Sequence, residues 1–339
     1  MDKSGSCGLE VSARELVVAE EAKSIQRYAN TAAGHRKLVE TLTRGGKRVR
    51  VVLEATGLYG LDVALALSGA EGIEVMVANP RSVRDFAKAL MQRSKTDPLD
   101  AEVLREYGRR MPFRAWRRPS ENRLALWAIV RRIQALTEIC RAEKNRQHAV
   151  QLSVTTPACV RRDVQRNLRA QQRAMSRLRE QARKCIAREA ELEREYRLLV
   201  SVPGIAESSA LQILGELAML PEDRDIRQWV AYAGLDPSEY QSGESVRKRT
   251  RLSRTGNRHL RRALYMPALT AIRWEPHLRG FYEHLVNRGK RKKQALLAVA
   301  RKLLHAIYGM FRTNSAYQGQ LVFRLHQPQN VLARAQKNS

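Results

Sequence analysis

The sequence has little of three things. Cysteine occurs four times in 339 residues, at Cys7, Cys140, Cys159 and Cys185, with no Cys-x-x-Cys pair and no histidine at zinc-ligand spacing. Neither a zinc site nor a disulfide framework is suggested, and the thiols are expected to be reduced. There is no run of about 18 apolar residues and no apolar signal core at the amino terminus, so no membrane partner is expected and the protein is expected in the cytoplasm. Acidic residues are the third scarcity: 34 Asp and Glu stand against 62 Lys and Arg, a formal charge of +28. Such a surplus calls for a polyanionic partner, by default nucleic acid. The surplus is also uneven, because residues 1–60 hold 10 basic and 7 acidic residues whereas 241–320 hold 18 and 3. The carboxy-terminal part is where a polyanion should be held hardest.

The chain is long enough for two or three domains of about 100–150 residues. Its first hundred residues alternate β-rich and helical runs: strands are expected at Gly8–Ser12, Glu15–Ala19, Ser24–Asn30, Val49–Glu54 and Ile73–Ala78. Helices are expected at Ala32–Thr43, at Tyr59–Leu67 and after Asn79-Pro80. Three early strands followed by alternating helices and strands is the order of an α/β, ribonuclease-H-like fold, placed here in residues 1–121. Residues 122–199 read as almost purely helical. Val164, Leu168, Met175, Leu178, Ala182, Cys185, Leu192, Tyr196 and Leu199 form a seam at spacings of 3 and 4, broken by Gln171 and Glu189. This seam suits a helix packed in its own domain or an intermolecular coiled coil, and either makes a long spacer. Residues 200–318 are expected to be a mainly α-helical domain, and 319–339 a polar tail.

Cleavage of a phosphodiester by a ribonuclease-H-like domain requires carboxylates at adjoining strand ends converging on Mg²⁺. Glu10 lies inside the first strand, Glu54 ends the apolar run Val51-Val52-Leu53, and Asp97 and Asp100 are three apart at a helix start. The bland alternatives are plain. Asp97 before Pro98 suits a helix N-cap, and Glu54 suits a solvated strand end. Glu10 is harder to dismiss, since an acid in an apolar strand is costly without a partner.

Farther on, Ser201-Val202-Pro203-Gly204-Ile205 reads as a turn between helices, where the backbone around Gly204 can offer N–H groups to a phosphate or merely join two helices. Ser242 lies in a Gly/Ser-rich loop, Gln241–Ser245, followed by Arg247, Lys248, Arg249 and Arg251. A Ser-Gly pair is usually only a turn. A serine attacking phosphorus, however, needs cations around the phosphate, and here they are adjacent. Arg254, Arg258, Arg261 and Arg262, in the Arg- and Leu-rich stretch that follows, are further candidates for phosphate contact.

The ordered motifs Gly8-Leu9-Glu10-Val11-Ser12, Leu53-Glu54-Ala55-Thr56-Gly57, Asn79-Pro80 and Lys95–Ala101 resemble the front domain of the insertion-sequence-110 transposases, relatives of the Piv-type DNA invertases. The back half is similar too, through Val202–Ile205, Ala233–Pro237, Ser242-Gly243, Gly256-Asn257 and Leu260–Tyr265. The resemblance spans about residues 8 to 312. It implies a RuvC-like domain whose DEDD set binds Mg²⁺ through Glu10, Glu54, Asp97 and Asp100, and a serine transposase domain with Ser242 as nucleophile. It also implies a homodimer assembling into a tetramer, a structured noncoding guide (bridge) RNA, and double-stranded donor and target DNA as partners, all met at the bacterial nucleoid.

The reading is therefore an RNA-guided DNA transposase or recombinase. Its rivals are a metal-dependent nuclease or junction resolvase in which Ser242 is incidental, and a catalytically silent nucleic-acid-binding derivative. Where the family has Asp at the first carboxylate, this chain has Glu10, one methylene longer, and Mg²⁺ tolerates little misplacement. Glu10→Asp is expected to lower the Mg²⁺ concentration needed for DNA cleavage; an unchanged Mg²⁺ titration and rate would show that the fold absorbs the extra reach.

Overall fold

The computed structural model describes residues 5–21, 24–46, 48–55, 57–221, 223–242, 246–253 and 255–325; for 239–242 and 246–250 the description covers the backbone alone. The chain forms two compact units that divide between Arg118 and Pro119.

The first unit runs β1 (Gly5–Val11), β2 (Glu15–Glu20), β3 (Gln26–Ala29), α1 (Ala32–Thr43), β4 (Val49–Glu54), α2 (Leu58–Ser68), β5 (Ile73–Ala78), α3 (Pro80–Ala89) and α4 (Asp97–Arg110). The five strands expected from the sequence are all formed, in one sheet of order β3-β2-β1-β4-β5. β1 is antiparallel to β2 and parallel to β4, which is parallel to β5. Side chains alternate across the sheet. Cys7, Leu9 and Val11 of β1 therefore join Leu38 and Leu42 of α1 and Val63 and Leu67 of α2 in one core. On the other face Val52, Met76 and Ala78 meet Val83 of α3 and Val103, Leu104 and Tyr107 of α4.

That second face of β1 carries Ser6, Gly8 and Glu10, which have little bulk until the last. The missing side chain at Gly8 is what allows α4 to lie on the strand: a Cβ there would stand 1.9 Å from the Ala101 carbonyl oxygen and 2.4 Å from the Arg105 nitrogen. The Ser6 hydroxyl donates to the Arg105 carbonyl at 3.2 Å, so the helix runs against the strand direction. Its first turn consequently reaches the carboxyl end of β1. That turn differs from expectation in one respect. Thr96 occupies the N-cap position and Asp97 is already helical, so the Asp97 carboxylate caps no backbone.

The second unit comprises α5 (Glu121–Leu152), α6 (Ala158–Ala187), α7 (Ala190–Val200), α8 (Glu207–Leu217), α9 (Ile226–Ala233), a hairpin of β6 (Pro237–Ser242) and β7 (Val246–Leu252), α10 (Arg258–Trp274), α11 (Pro276–Asn287), α12 (Lys292–Thr313) and the short α13 (Gly319–Val322). The apolar seam at residues 164–185 is buried against α5 of the same chain. Leu168 and Met175 pack with Ile133, Leu136 and Cys140, and the Cys140 thiol donates to Gln171 Oε1 at 3.7 Å. Asn122 meets Cys185 while Ser153 meets Arg161, so the two helices are antiparallel.

The seam does not continue as one helix to Leu199. α6 stops at Ala187, and Glu189 turns back to accept hydrogen bonds from the Ser120 hydroxyl at 2.6 Å and Arg123 Nε at 3.2 Å. The base of the α5–α6 pair, at Leu126, Val130, Ala182 and Ile186, shares a core with Leu199, Leu214, Val230, Leu264 and Leu303. Residues 319–325, where the polar tail was expected to begin, fold back so that His277 Nδ1 lies 2.8 Å from the Phe323 carbonyl. Among the described residues no helix is long and apolar enough to cross a membrane.

Because two backbone segments flank the Gly8 Cα, Gly8→Ala should cost about 2 kcal/mol or more. Gly5→Ala, whose Cβ would find only Val49 Cγ2 at 3.9 Å, should be neutral to within about 0.5 kcal/mol. Denaturant unfolding of the two variants beside wild type measures the difference.

Candidate active site

Glu10 and Glu54 end up side by side because of strand register. Leu9 pairs with Leu53 in the parallel β1–β4 ladder, so the next residues, Glu10 near the end of β1 and Glu54 at the end of β4, stand at the same level. Alternation turns both toward α4, whose first turn brings Asp97 and Asp100 with i, i+3 spacing on one helix face. Glu10, Glu54 and Asp100 are half-buried and Asp97 is exposed. All four expected carboxylates are thus gathered at one edge of the sheet, at the amino end of a helix whose dipole favours negative charge.

Burial first, and neighbouring acids second, make three of these carboxyls harder to ionise. Burial, then the charges of Asp100, Glu54 and Asp97, push Glu10 from 4.5 up to about 7, with Lys95 opposing. Glu54 is raised by burial, opposed by Lys95 and Arg84 and reinforced by Asp100. Asp100 is raised by burial, with Lys95 again opposing and Asp97 adding. Lys95 thus faces three of the acids.

Among the described residues no three Asp, Glu, His or Cys side chains are already drawn to one ion-sized point. The donor set nevertheless fits a hard divalent cation in kind and in charge, since carboxylate oxygens are the ligands such ions take and the site carries more negative charge than Lys95 balances.

Ser242 belongs to the second unit. The loop expected around it is the end of a β-hairpin: Ser242 is the last residue of β6 and pairs with Val246, the first of β7. Arg247, Lys248, Arg249 and Arg251 run along β7, opposite Gln241, Tyr240 and Ser238, with a register irregularity between Ser238 and Tyr240. Gly243, Glu244, Ser245 and Arg254 lie outside the described residues. The hairpin was not foreseen because neither strand alternates cleanly between apolar and polar residues.

The root of the hairpin is clamped. Ser253 donates its N–H to the Asp236 carbonyl at 3.0 Å and its hydroxyl to the Asp236 carboxylate at 2.6 Å. Next to it Gly256, at φ 132°, approaches the Tyr232 carbonyl so closely that a Cβ would stand 2.4 Å from it. Asn257 follows and joins three helices. Its Oδ1 accepts from the His259 and Leu260 N–H groups at 2.9 and 3.1 Å, capping α10. Its Nδ2 donates to Glu216 Oε2 at 2.7 Å and to the Tyr232 hydroxyl at 2.8 Å.

Glu216 is fully buried and pairs with Arg131 of α5, Nε to Oε1 at 2.8 Å. Burial raises the pKa of its carboxyl, while the Asn257 hydrogen bond and Arg131 hold it down. Sequence reasoning missed Glu216 and Arg131, although an acid within Ile213-Leu214-Gly215-Glu216-Leu217 is the same signal that drew attention to Glu10.

The other candidate cations divide. Arg251 and Arg258 are exposed, whereas Arg261 is half-buried and donates to the Ala233 carbonyl at 2.7 Å, and Arg262 pairs with Glu138. Gly204, at φ 101°, sits in the α7–α8 turn against α10, where a Cβ would lie 2.9 Å from the Ala271 nitrogen.

Because folding favours the protonated form of Glu10, its contribution is complete below pH 4.5 and is lost as pH rises through about 7. In metal-free buffer, stability of the wild type relative to Glu10→Gln should therefore fall by at most about 3 kcal/mol between pH 4.5 and 8. A millimolar divalent cation should raise the wild-type Tm at pH 8 more than that of Glu10→Gln; thermal melts at a series of pH values check both.

Comparison with known proteins covers both units. A DEDD transposase pattern of the IS110 group matches residues 11–157, beginning one residue after Glu10, and the pattern described as the transposase IS116/IS110/IS902 family matches residues 196–283. The chain is 29% identical over 275 residues to the pilin gene-inverting protein of Moraxella bovis, spanning 80% of this chain and 83% of that protein. The protein of the same name from Moraxella lacunata is similar to the same extent. An uncharacterized 43.6 kDa protein of insertion element IS110 from Streptomyces coelicolor is 31% identical over 127 residues, 37% of this chain and 30% of its own length. With the two patterns matched in order along one chain, the protein belongs to the IS110 family of transposases.

Proposed function

We propose that the protein is an RNA-guided DNA recombinase that cuts and rejoins strands through a covalent serine–phosphate intermediate. The observation that carries this reading is the gathering of Glu10, Glu54, Asp97 and Asp100 at one sheet edge, with Glu10 pushed up to about 7 by burial and by the other three. A RuvC-like fold accounts for that placement. The four carboxylates hold Mg²⁺, which when bound neutralises charge on a DNA phosphate.

The Ser242 hydroxyl oxygen forms a bond to phosphorus as the bond from phosphorus to a deoxyribose oxygen breaks. The serine proton leaves to base and the departing oxygen gains one, and the reverse attack reseals a strand. Exposed Arg251 and Arg258, with the β7 residues Arg247, Lys248 and Arg249, supply the positive surroundings that such a phosphorane requires. The Moraxella relatives are named for inverting a pilin gene, and inversion, like transposition, requires strands to be both broken and resealed. The family likeness supports two further parts of this proposal, assembly as a dimer that pairs into a tetramer and choice of site by a bridge RNA.

The test is a denaturing gel of protein copurified with RNA from its own flanking region, incubated with Mg²⁺ and labelled element-end DNA. Wild type should give a covalent protein–DNA band whose modified peptide contains Ser242, and Ser242→Ala should give none. Equal free cleavage by both proteins would make this a carboxylate nuclease, and binding without any product in wild type would make it a silent derivative.

A further inference from the structure

One strongly charged surface lies far in sequence from the hairpin and is used by none of the chemistry above. Between Ala158 and Arg177 helix α6 carries six arginines and a single acid, Asp163. Five of the arginines, Arg162, Arg166, Arg169, Arg173 and Arg177, recur at spacings of 4, 3, 4 and 4. At about 100° per residue they fall within about 80° of one another on the helix. Val164, Leu168 and Met175, which pack on α5, lie on the opposite side.

All five are exposed. Arg166 pairs with Asp163 at 2.5 Å, while Arg162, Arg169, Arg173 and Arg177 have no ion-pair or hydrogen-bond partner among the described residues. The residues between them on that side, Gln165, Ala170, Gln172 and Ser176, are small or polar and exposed, so the face offers nothing to an apolar partner. Its apolar side is already spent on α5, which leaves no surface to enter a membrane.

We infer that this α6 face is a second nucleic-acid interface, one that lies along the phosphate backbone of a duplex. Four uncompensated guanidinium groups on a rigid helix repel one another, and a line of phosphates relieves that repulsion. Guanidinium groups suit phosphate oxygens through paired N–H donors. The stripe is about 22 Å long, enough to follow about six base pairs. Nothing in it discriminates base edges, so it holds and orients a duplex without choosing sequence. It is independent of Ser242 and of the carboxylates.

The experiment measures binding of the full-length protein to 25-base-pair DNA and RNA duplexes of one sequence across a KCl series. Replacing Arg162, Arg169, Arg173 and Arg177 together with Gln should make the slope of log K against log[KCl] shallower by about 2–4, roughly one unit per lost phosphate contact. The same four changed to Lys should keep the wild-type slope, and Arg169→Gln with Arg173→Gln alone should give about half the effect should the fourfold variant fold poorly. A change confined to one duplex identifies which nucleic acid lies there. Unchanged slopes on both duplexes, in folded variants with wild-type helicity, overturn the interface.

Discussion

The first unit depends on one close approach, the backbone of α4 laid directly on the backbone of β1 at Gly8. No side chain intervenes, and the contact fixes both the height of the helix above the sheet and its direction. Everything acidic at the edge follows from it. With α4 held off by a methyl group, its first turn would stand away from the ends of β1 and β4, and the four acids would be separate surface charges. The sheet supplies only two of them through register. The other two arrive because a glycine two residues before Glu10 leaves room for a helix.

Half-burying neighbouring carboxylates opposes folding, and the raised pKa values of Glu10, Glu54 and Asp100, set first by burial, record that opposition. The strands and the Gly8 contact must therefore supply the stability that the acid edge removes, consistent with the fully buried side chains Leu9, Leu16, Val51, Val52 and Leu53 around it. In the second unit the logic is different. Glu216 is fully buried, yet Arg131 and Asn257 partner it, and the result joins four elements at the foot of the hairpin. Glu10 lies among other acids, whereas Glu216 is held by a guanidinium and an amide of the protein itself.

Much of the first unit was legible in the sequence because its signals are local. Period-two alternation in β1, apolar runs in β4 and β5 and the Asn79-Pro80 helix start each act within a few residues, and so the acids could be placed at strand ends and a helix start. The register that sets Glu10 beside Glu54 and the contact of Gly8 with Ala101 are non-local and could not be read. The Asp97-Pro98 pair misled over the cap, since the helix already includes Asp97 and Thr96 stands at the N-cap position without a side-chain capping bond. In the second unit a polar hairpin carries no alternation to detect, and Asn257 is silent in sequence because its partners lie 25 and 41 residues away. The antiparallel packing of α6 on α5 of the same chain is likewise non-local, and a single heptad seam did not reveal it.

The hairpin that ends at Ser242 is anchored at Asp236 and Ser253 and, among the described residues, its strands meet chiefly each other. Its far end is thus mechanically an arm, with the fulcrum in the core and the load about 17 Å out. An arm of this kind separates evolution of the tip from evolution of the body. Residues there can be exchanged with little consequence for folding, and selection on them acts through what the arm reaches. At the acid edge the reverse holds, because every carboxylate changes the stability of the sheet that displays it. The two ends of the chain therefore answer to different constraints: the arm to what it reaches, with little effect on the core, and the acid edge to the charge that its own fold must tolerate.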